Sequence, residues 1–283
     1  MISGKSVPHL YKTHIVITKQ TIKYLRSLSL KKYRDEAGRF VAEGPKTVAD
    51  LGVLMKCERL FATADFLASQ DLGLWKSRPH IEEVSQTELS RLSSMQAPHA
   101  ALAVFEKPQN EADNAEHCAC LADEELCIAL EDVQDPGNLG TIIRVADWFG
   151  ISHIFASPHT ADAYAPKVVQ ATMGAIGRVN VHYLDLQDLT NRCMNAGTPV
   201  YGTFLDGDDI YKERIDHPSC GIILMGNEGS GISPQLRQKV THKLYIPNFP
   251  QGRKGSESLN VAIATALVCA EFRRRLSDQK SAH

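Results

Sequence analysis

The sequence lacks the features that mark membrane proteins, disulfide-rich secreted proteins and strongly basic proteins. Its 283 residues contain no apolar run approaching the ~20 residues needed to span a bilayer. The seven cysteines are odd in number and irregularly spaced, which argues against a disulfide framework. The N-terminus carries Lys and His but no continuous apolar segment, so it does not resemble a signal peptide. We therefore expect a cytoplasmic protein without a membrane segment.

A metal site is also not expected. His117, Cys118 and Cys120 lie close together in the sequence, but the stretch around them is polar and acidic. Structural zinc sites use four ligands, commonly two spaced pairs, and no convincing second pair accompanies this cluster. Other cysteines stand in apolar contexts that are typical of small core residues.

Positive charge is concentrated near the N-terminus, although the formal net charge of the chain is only −2. Residues 1–50 contain ten Lys and Arg against four Asp and Glu, a local excess of six positive charges. Such a segment is typical of a polyanion binder. It is equally compatible with a solvated basic surface that has no partner.

The apolar pattern divides the chain into three parts. Residues 1–108 alternate strand-like runs with helical stretches and predict a small α/β domain. Residues 109–125 contain acidic residues but no Lys or Arg, which is typical of a linker. Residues 126–283 alternate more regularly and predict a second α/β domain with a parallel sheet. Its strands are expected at residues 126–130, 151–156, 179–183, 200–205, 222–225 and 244–246.

Two of these predicted strands end abruptly in turns rich in Gly, Pro and Asn. The turns lead into predicted helices that open near Ser233 and Ser258. Ligands of α/β sheets bind at the carboxyl ends of strands, where such turns expose backbone groups. Gly226 and Gly231 allow close approach of the backbone to a ligand, and Glu228 places a carboxylate between them. The pattern predicts a cofactor or substrate site.

The loop after the first strand of the second domain carries further candidates. Asn138 is predicted to cap the following helix through its side-chain oxygen. Arg144, six residues on, is unusual in an apolar helical run, but it could pair with a carboxylate at the surface. Glu228 could likewise serve only to accept N–H groups of its own turn. Ser258 and Asn260 could be helix caps, although Asn260 is expected to lie too far inside the helix for capping alone.

Several motifs in order resemble those of the SpoU (TrmH-like) RNA 2′-O-ribose methyltransferases. They are NLGTIIR at 138–144, MGAIGR at 173–178, GNEGSGI at 226–232 and SLNV at 258–261. The N-terminal run at 22–44 is similar to the substrate-binding domain often fused ahead of that family's catalytic domain. The resemblance covers nearly the whole chain. The Gly spacing does not match the dinucleotide fingerprint, which weighs against a nicotinamide-dependent oxidoreductase.

The resemblance implies an α/β fold with a deep trefoil knot, S-adenosylmethionine (AdoMet) as cofactor and a homodimer that completes the site. The cofactor residues implied by the resemblance are Thr203, Met225, Gly226, Gly231, Ile246 and Leu259. The implied catalytic residues are Asn138, Arg144, Glu228, Ser258 and Asn260. Candidate RNA contacts are Lys31, Lys32, Arg34 and Arg39 in the first domain, with Arg253 and Lys254 in the second.

The expected reaction moves a methyl group to a ribose 2′-OH of RNA, with ribosomal RNA the first candidate and tRNA the second. A guanidinium has a pKa above 12, so Arg144 is a poor general base. We expect Arg144 to orient the ribose or phosphate and to lower the pKa of the hydroxyl, and the base is left open. The alternative is an RNA-binding protein of ribosome assembly that has lost catalysis.

Overall fold

The computed structural model describes residues 17–95, 99–108, 114–250 and 258–281. The chain forms two compact units. One runs to Lys107 and also takes in Tyr164–Pro166, and the other comprises Pro108–Ala163 and the chain from Lys167 onward.

The first unit is a four-stranded sheet with short helices. Its helices are α1 (Lys19–Ser27), α2 (Lys31–Ala37), α3 (Pro45–Leu54), α4 (Ala64–Ser69) and α5 (Gln86–Leu92), and its strands are β1 (Arg39–Glu43), β2 (Cys57–Ala62), β3 (His80–Glu83) and β4 (Ala101–Glu106). The strand order is β1-β4-β2-β3. Strand β4 pairs antiparallel with β1 and β2, whereas β2 and β3 are parallel. An α/β arrangement was expected for this part of the chain.

Helix α2 lies directly before β1 and carries the basic residues Lys31, Lys32 and Arg34. The helix ends at Gly38, whose φ of 62° is the left-handed conformation that glycine adopts without strain. The other helices of this unit begin with side-chain caps in two clear cases. Thr18 caps α1, and Ser85 and Glu88 form a reciprocal capping box on α5.

The second unit is a six-stranded sheet with helices. Its helices are α6 (Ala115–Glu124), α7 (Pro136–Trp148), α8 (Pro166–Thr172), α9 (Leu186–Ala196), α10 (Pro234–Arg237) and α11 (Val261–Ser281), and its strands are β5 (Leu126–Leu130), β6 (His153–Ala156), β7 (Asn180–Tyr183), β8 (Val200–Asp209), β9 (Gly221–Met225) and β10 (His242–Tyr245). The strand order is β10-β8-β9-β5-β6-β7, and the paired strands run parallel. The parallel sheet predicted from the sequence is confirmed.

The centre of this sheet consists of β5 and β9, in which all ten residues are buried. Strands buried on both faces consist of continuous apolar runs, which is why they could be recognised in the sequence. Because the strands are parallel, the loops that follow β5, β8, β9 and β10 leave the same edge of the sheet. The order of the strands therefore brings together four loops that are distant in sequence.

Residues 114–124 are not linker, in contrast to the prediction for residues 109–125. Asn114 caps α6, and α6 packs against α9. Cys118 and Ala122 are fully buried in the same apolar cluster as Leu189. The acidic side chains of Glu116, Asp123 and Glu124 occupy the exposed face of an amphipathic helix. The rest of the predicted linker, residues 109–113, lies outside the described residues.

Within the described ranges, no helix combines the length and the apolar character that a membrane crossing requires. The trefoil knot implied by the family resemblance stays a prediction.

Candidate active site

A cleft of about 1350 Å³ lies at the edge of the second unit's sheet where the strands end. It is lined by Gln134, Asp135, Asn138, Thr203, Phe204, Leu205, residues 225–232, residues 244–249, residues 258–261 and Ala264. All six residues predicted to bind the cofactor are among them. So are four of the five predicted catalytic residues, the exception being Arg144. The cleft therefore brings the predicted cofactor and catalytic positions together.

The glycine loop after β9 is closed on itself. The backbones of Asn227 and Gly231 exchange hydrogen bonds of 2.9 and 3.1 Å. A Cβ on Gly226 would lie 2.2 Å from the carbonyl carbon of Gly231, so only glycine fits at this position. The side chain of Asn227 accepts the N–H groups of Gly229 and Ser230. Asn227, and not Glu228, is thus the residue that satisfies the turn's own donors.

The glycine loop is also fastened to the loop after β5. Asn227 Nδ2 donates to the carbonyl of Asp132 at 2.7 Å. Further along, the N–H of Ser233 donates to Glu131 at 2.7 Å. These contacts join residues about a hundred positions apart and fix one wall of the cleft.

Asn138 lies between Glu228 and Asn260. Its Nδ2 donates to Glu228 Oε1 at 3.0 Å, and its Oδ1 accepts from Asn260 Nδ2 at 2.9 Å. The prediction that Asn138 caps its helix is wrong, because Asp135 accepts the N–H of Asn138 and is the N-cap of α7. Asn138 stands at the third helical position, and its side chain is left to bridge two other segments.

Asn260 is the cap of α11. Its Oδ1 accepts the N–H groups of Ala262 at 3.0 Å and Ile263 at 3.3 Å. The prediction that it lies inside the helix is wrong, because the helix begins at Val261, but capping is not its only contact, as expected. Two backbone donors fix which end of the Asn260 amide is oxygen. The direction of the next bonds follows: Asn260 donates to Asn138, and Asn138 donates to Glu228, which is the final acceptor.

Arg144 does not line the cleft. It is exposed on α7, and six helical residues place it roughly 120° around the axis and about 9 Å along it from Asn138. With the other described residues it forms neither a hydrogen bond nor an ion pair, so the surface pairing considered from the sequence is not found there. Its neighbour one turn along, Trp148, has 84% of its surface exposed.

The predicted RNA contacts of the first unit differ in accessibility. The side chains of Lys31 and Lys32 are 64% and 76% exposed. Arg34 is not available as a surface contact, because it is 2% exposed and its Nη1 donates to the carbonyl of Leu28 at 2.8 Å. Arg39 is half-buried and pairs with Glu58 and Glu106 across the sheet.

Hydrogen bonding to Glu58 raises the pKa of Arg39, and the charge of Arg39 is paired with carboxylates of the protein itself. Tertiary packing determines how accessible Arg34 and Arg39 are to a ligand. A count of basic residues contains no information on that accessibility. Arg253 and Lys254 lie outside the described residues.

A second polar cluster lies at the opposite edge of the parallel sheet. His153 Nδ1 is 2.9 Å from His182 Nε2, and His153 Nε2 is 3.3 Å from Glu125 Oε1. Burial, with His182 and His117 acting in the same direction, lowers the pKa of His153 to about 4. A neutral His153 can donate to Glu125 while accepting from His182.

In the described part of the chain, no group of three or more His, Cys, Asp and Glu could hold a metal ion.

Sequence analysis missed some of the residues that shape the cleft. Asp135 is the first, although an Asp directly before a proline is a recognisable helix start. Leu205 and Phe249 are the others, with 70% and 91% of their surfaces exposed. Nothing in the sequence separates them from apolar residues of the core, because exposure depends on how the loops leave the sheet.

The chain matches the SpoU rRNA Methylase family over residues 125–270 and the MRM3-like substrate binding domain over residues 19–103. It is 28% identical over 258 residues to the 23S rRNA (guanosine(2553)-2′-O)-methyltransferase RlmP of Bacillus subtilis, covering 90% of this chain and 96% of that protein.

Among solved structures, a TrmH-family protein from Porphyromonas gingivalis is 38% identical with a TM-score of 0.81, covering 92% of this chain and 100% of that one. An AdoMet-bound rRNA methyltransferase from Sinorhizobium meliloti is 31% identical with a TM-score of 0.75, covering 91% and 95%. With three of its four motifs contributing residues to one cleft and the family match extending over residues 125–270, the chain belongs to the SpoU rRNA methylase family.

Proposed function

We propose that this chain is an AdoMet-dependent RNA 2′-O-ribose methyltransferase that acts on ribosomal RNA. The observation that carries the proposal is the chain of side chains from Asn260 through Asn138 to Glu228, set in the wall of a cleft beside a glycine loop. The RNA methyltransferase RlmP aligns over nearly its whole length, and an AdoMet-bound rRNA methyltransferase shares the fold. The intact cleft argues against a protein that only binds RNA.

The residues of the cleft fit AdoMet by their chemistry. Apolar side chains with accessible surface, among them Leu205, Ile246 and Leu259, suit a purine, while closely packed backbone offers hydrogen-bonding groups. Thr203 lies within β8, Ile246 directly follows β10, and Gly226 and Gly231 lie on the loop after β9. The volume of about 1350 Å³ exceeds what a nucleoside-sized ligand needs, which leaves room for a ribose of the substrate.

When bound, AdoMet supplies a methyl group on a sulfonium leaving group. The protein must hold the 2′-OH in line and help remove its proton. Glu228 Oε1 is occupied by Asn138 and by the N–H of Asp135. Among the described residues no donor contacts Oε2, so this oxygen is available to accept a hydrogen bond from a ligand. Asn138 and Asn260 fix the position of that carboxylate, and Ser258 adds a hydroxyl to the same wall.

Arg144 serves the site of the partner in a homodimer. It lies on an exposed face away from its own cleft, so a cleft in another subunit is where it can act. The helices α7 and α11 pack together and expose apolar side chains. Trp148 on α7 is 84% exposed, and Ile263 and Leu267 on α11 are 55% and 37% exposed. A two-fold dimer over this face would cover the apolar side chains and give each cleft an arginine. There Arg144 orients the ribose or phosphate and lowers the pKa of the hydroxyl.

The first unit holds the RNA, with Lys31 and Lys32 as exposed phosphate contacts. Their weak pairs with Asp35 and Glu36 lie at the surface, where exchange for a phosphate costs little. Arg253 and Lys254 remain candidates for RNA contacts from the sequence alone.

A cytoplasmic location fits ribosomal RNA as the substrate.

The test is transfer of labelled methyl from AdoMet to in-vitro transcribed 23S rRNA, with in-vitro transcribed tRNA as the second substrate. A methylated 2′-OH cannot attack the neighbouring phosphate, so alkaline hydrolysis leaves labelled dinucleotides. Such label on rRNA, lost in Glu228→Gln, is the expected result. Label in mononucleotides would mean base methylation and would overturn the proposal, and label on tRNA alone would overturn the substrate assignment.

A further inference from the structure

Phe249 is the most solvent-exposed large apolar side chain among the described residues. It is 91% exposed and lies on the loop after β10, among the residues that line the cleft. An aromatic ring left in water at the mouth of a ligand site is not explained by packing, because burial would stabilise the fold. The position instead suits a surface that is covered only when a ligand is bound.

Phe249 differs in exposure from the buried apolar residues of the cleft. The apolar floor of the cleft is formed by Met225 and Leu244, which are 2% and 0% exposed. Phe249, in contrast, is almost fully exposed, so only a ligand that extends beyond the buried floor covers it. Under the proposed function, the ligand large enough to do so is RNA. Unpaired RNA bases are recognised mainly by stacking on aromatic side chains, because each base offers a planar face.

We propose that Phe249 is a stacking platform for the base of the target nucleotide or of its immediate neighbour. The inference rests on the proposed function. Stacking at the mouth of the cleft would hold the nucleotide unpaired while its ribose reaches Asn138 and Glu228. Phe249 is therefore a positioning residue for the substrate, with no part in binding AdoMet.

Steady-state kinetics on in-vitro transcribed 23S rRNA test this role through a series of substitutions. Phe249→Ala and Phe249→Leu are expected to lower kcat/KM for RNA by roughly 5- to 150-fold, the contribution of one stacked base. Phe249→Trp retains activity, since a planar ring is restored. The affinity for AdoMet, measured by calorimetry, is unchanged in all three. Tyr211→Ala is the matched control, because Tyr211 is 51% exposed but does not line the cleft.

A second experiment uses synthetic RNA carrying one abasic nucleotide at the methylated position or beside it. An abasic nucleotide keeps its ribose 2′-OH and loses only the base. On RNA that lacks the base stacked on Phe249, wild type and Phe249→Ala should therefore methylate at the same rate. This comparison is a double-mutant cycle between the ring and the base. If Phe249→Leu is as active as the wild type, or if the alanine effect persists on every abasic RNA, the inference is wrong.

Two other outcomes also contradict the inference and are distinguishable from it. Lower affinity of Phe249→Ala for AdoMet would place the ring in the cofactor site. A change in molar mass by light scattering would make it a subunit contact. Failure of the proposed function is separate: wild-type protein would then methylate no RNA, whatever stands at position 249.

Discussion

The side-chain amide of Asn138 donates to the carboxylate of Glu228 across 3.0 Å, although the two residues are 90 positions apart. The contact links α7 to the glycine loop. Asn138 also accepts from Asn260, so a donor and an acceptor are needed in the same side chain. Alanine provides neither, and aspartate provides only acceptors.

We expect Asn138→Asp to be more damaging than Asn138→Ala. The aspartate would face Glu228 with like charge, whereas alanine only leaves its partners unsatisfied. Loss of a hydrogen bond to a charged group costs about 1.5–3 kcal/mol, so kcat/KM should fall by roughly 10- to 150-fold for alanine and further for aspartate. The measurement is methyl transfer together with thermal unfolding. Asn191→Ala, an exposed asparagine on α9, is the control, and equal effects of the two Asn138 variants would contradict the argument.

Arg144→Ala and Glu228→Gln should complement each other when mixed. If Arg144 acts in the partner's cleft, a heterodimer carries one complete site, and random pairing restores about one quarter of the wild-type rate. Each variant alone is expected to be almost inactive. The measurement is methyl transfer after mixing and re-association of the two proteins. Absence of rescue, with heterodimers demonstrated by mass spectrometry, would place Arg144 in its own subunit's site.

Trp148→Asp should convert the proposed dimer to a monomer. A carboxylate in the centre of an apolar contact is buried without a partner, which typically costs several kcal/mol. Light scattering gives the molar mass, and circular dichroism shows whether the fold is kept. Met194→Asp is the matched control, because Met194 is 46% exposed on α9 of the same unit. A dimer that persists in Trp148→Asp would show that this face is not the interface.

Gly226→Ala should destabilise the glycine loop, whereas Gly229→Ala should be tolerated. The added methyl at position 226 would lie 2.2 Å from the backbone of Gly231, but the one at position 229 would have its nearest neighbour at 3.5 Å, an ordinary contact. We expect Gly226→Ala to lower the free energy of unfolding by about 1–3 kcal/mol and to weaken AdoMet binding at least 10-fold. Urea unfolding and calorimetry measure the two effects. Similar behaviour of both variants would mean that the loop moves freely.

His153 should make the protein less stable as the pH falls. Its pKa is about 4 in the fold against 6.5 in an unfolded chain, so between these values the unfolded state binds the extra proton. The contribution of His153 is complete above pH 6.5 and is lost as the pH falls towards 4. Burial raises the pKa of Glu125, which acts in the opposite sense, so the comparison is made with a variant at His153 alone.

Between pH 7.5 and pH 5, His153→Gln should lose about 2 kcal/mol less free energy of unfolding than the wild type. Urea unfolding at the two pH values measures the difference. His159→Gln, at an exposed histidine, should follow the wild type. Parallel behaviour of His153→Gln and the wild type would show that His153 does not carry the dependence.

The central strands of the second unit could be predicted from the sequence because they are short apolar runs bounded by turn residues, whereas β8 continues through a polar stretch to Asp209, beyond the predicted residues 200–205. Residues 126–130, for example, coincide with β5. Side-chain chemistry alone does not separate a helix cap at Asp135 from one at Asn138, because both residue types accept backbone N–H groups, and the signal that favours Asp135 is the proline that follows it. The burial of Arg34 depends on where α2 packs, and a local charge count contains no information on that packing.

The candidate site also has features that the sequence predicted and features that only the structure revealed. The candidate cofactor positions were implied by the family resemblance, and the structure places all six around one cleft. The bridge between Asn138, Glu228 and Asn260 joins three of those motifs, and its bonds required the folded chain to be seen. Arg144 belongs to a predicted motif but faces away from the cleft, because helical rotation turned it to another side.

Helix α6 changes how the chain can be divided for work on the catalytic unit. The family match begins at residue 125, and the acidic composition also suggested a boundary there. A fragment cut at that point would lose Cys118 and Ala122 and uncover the side chains that pack against them, including Leu189. Newly exposed apolar surface promotes aggregation. A soluble catalytic fragment should therefore start before Asn114, so that the helix and its cap are retained.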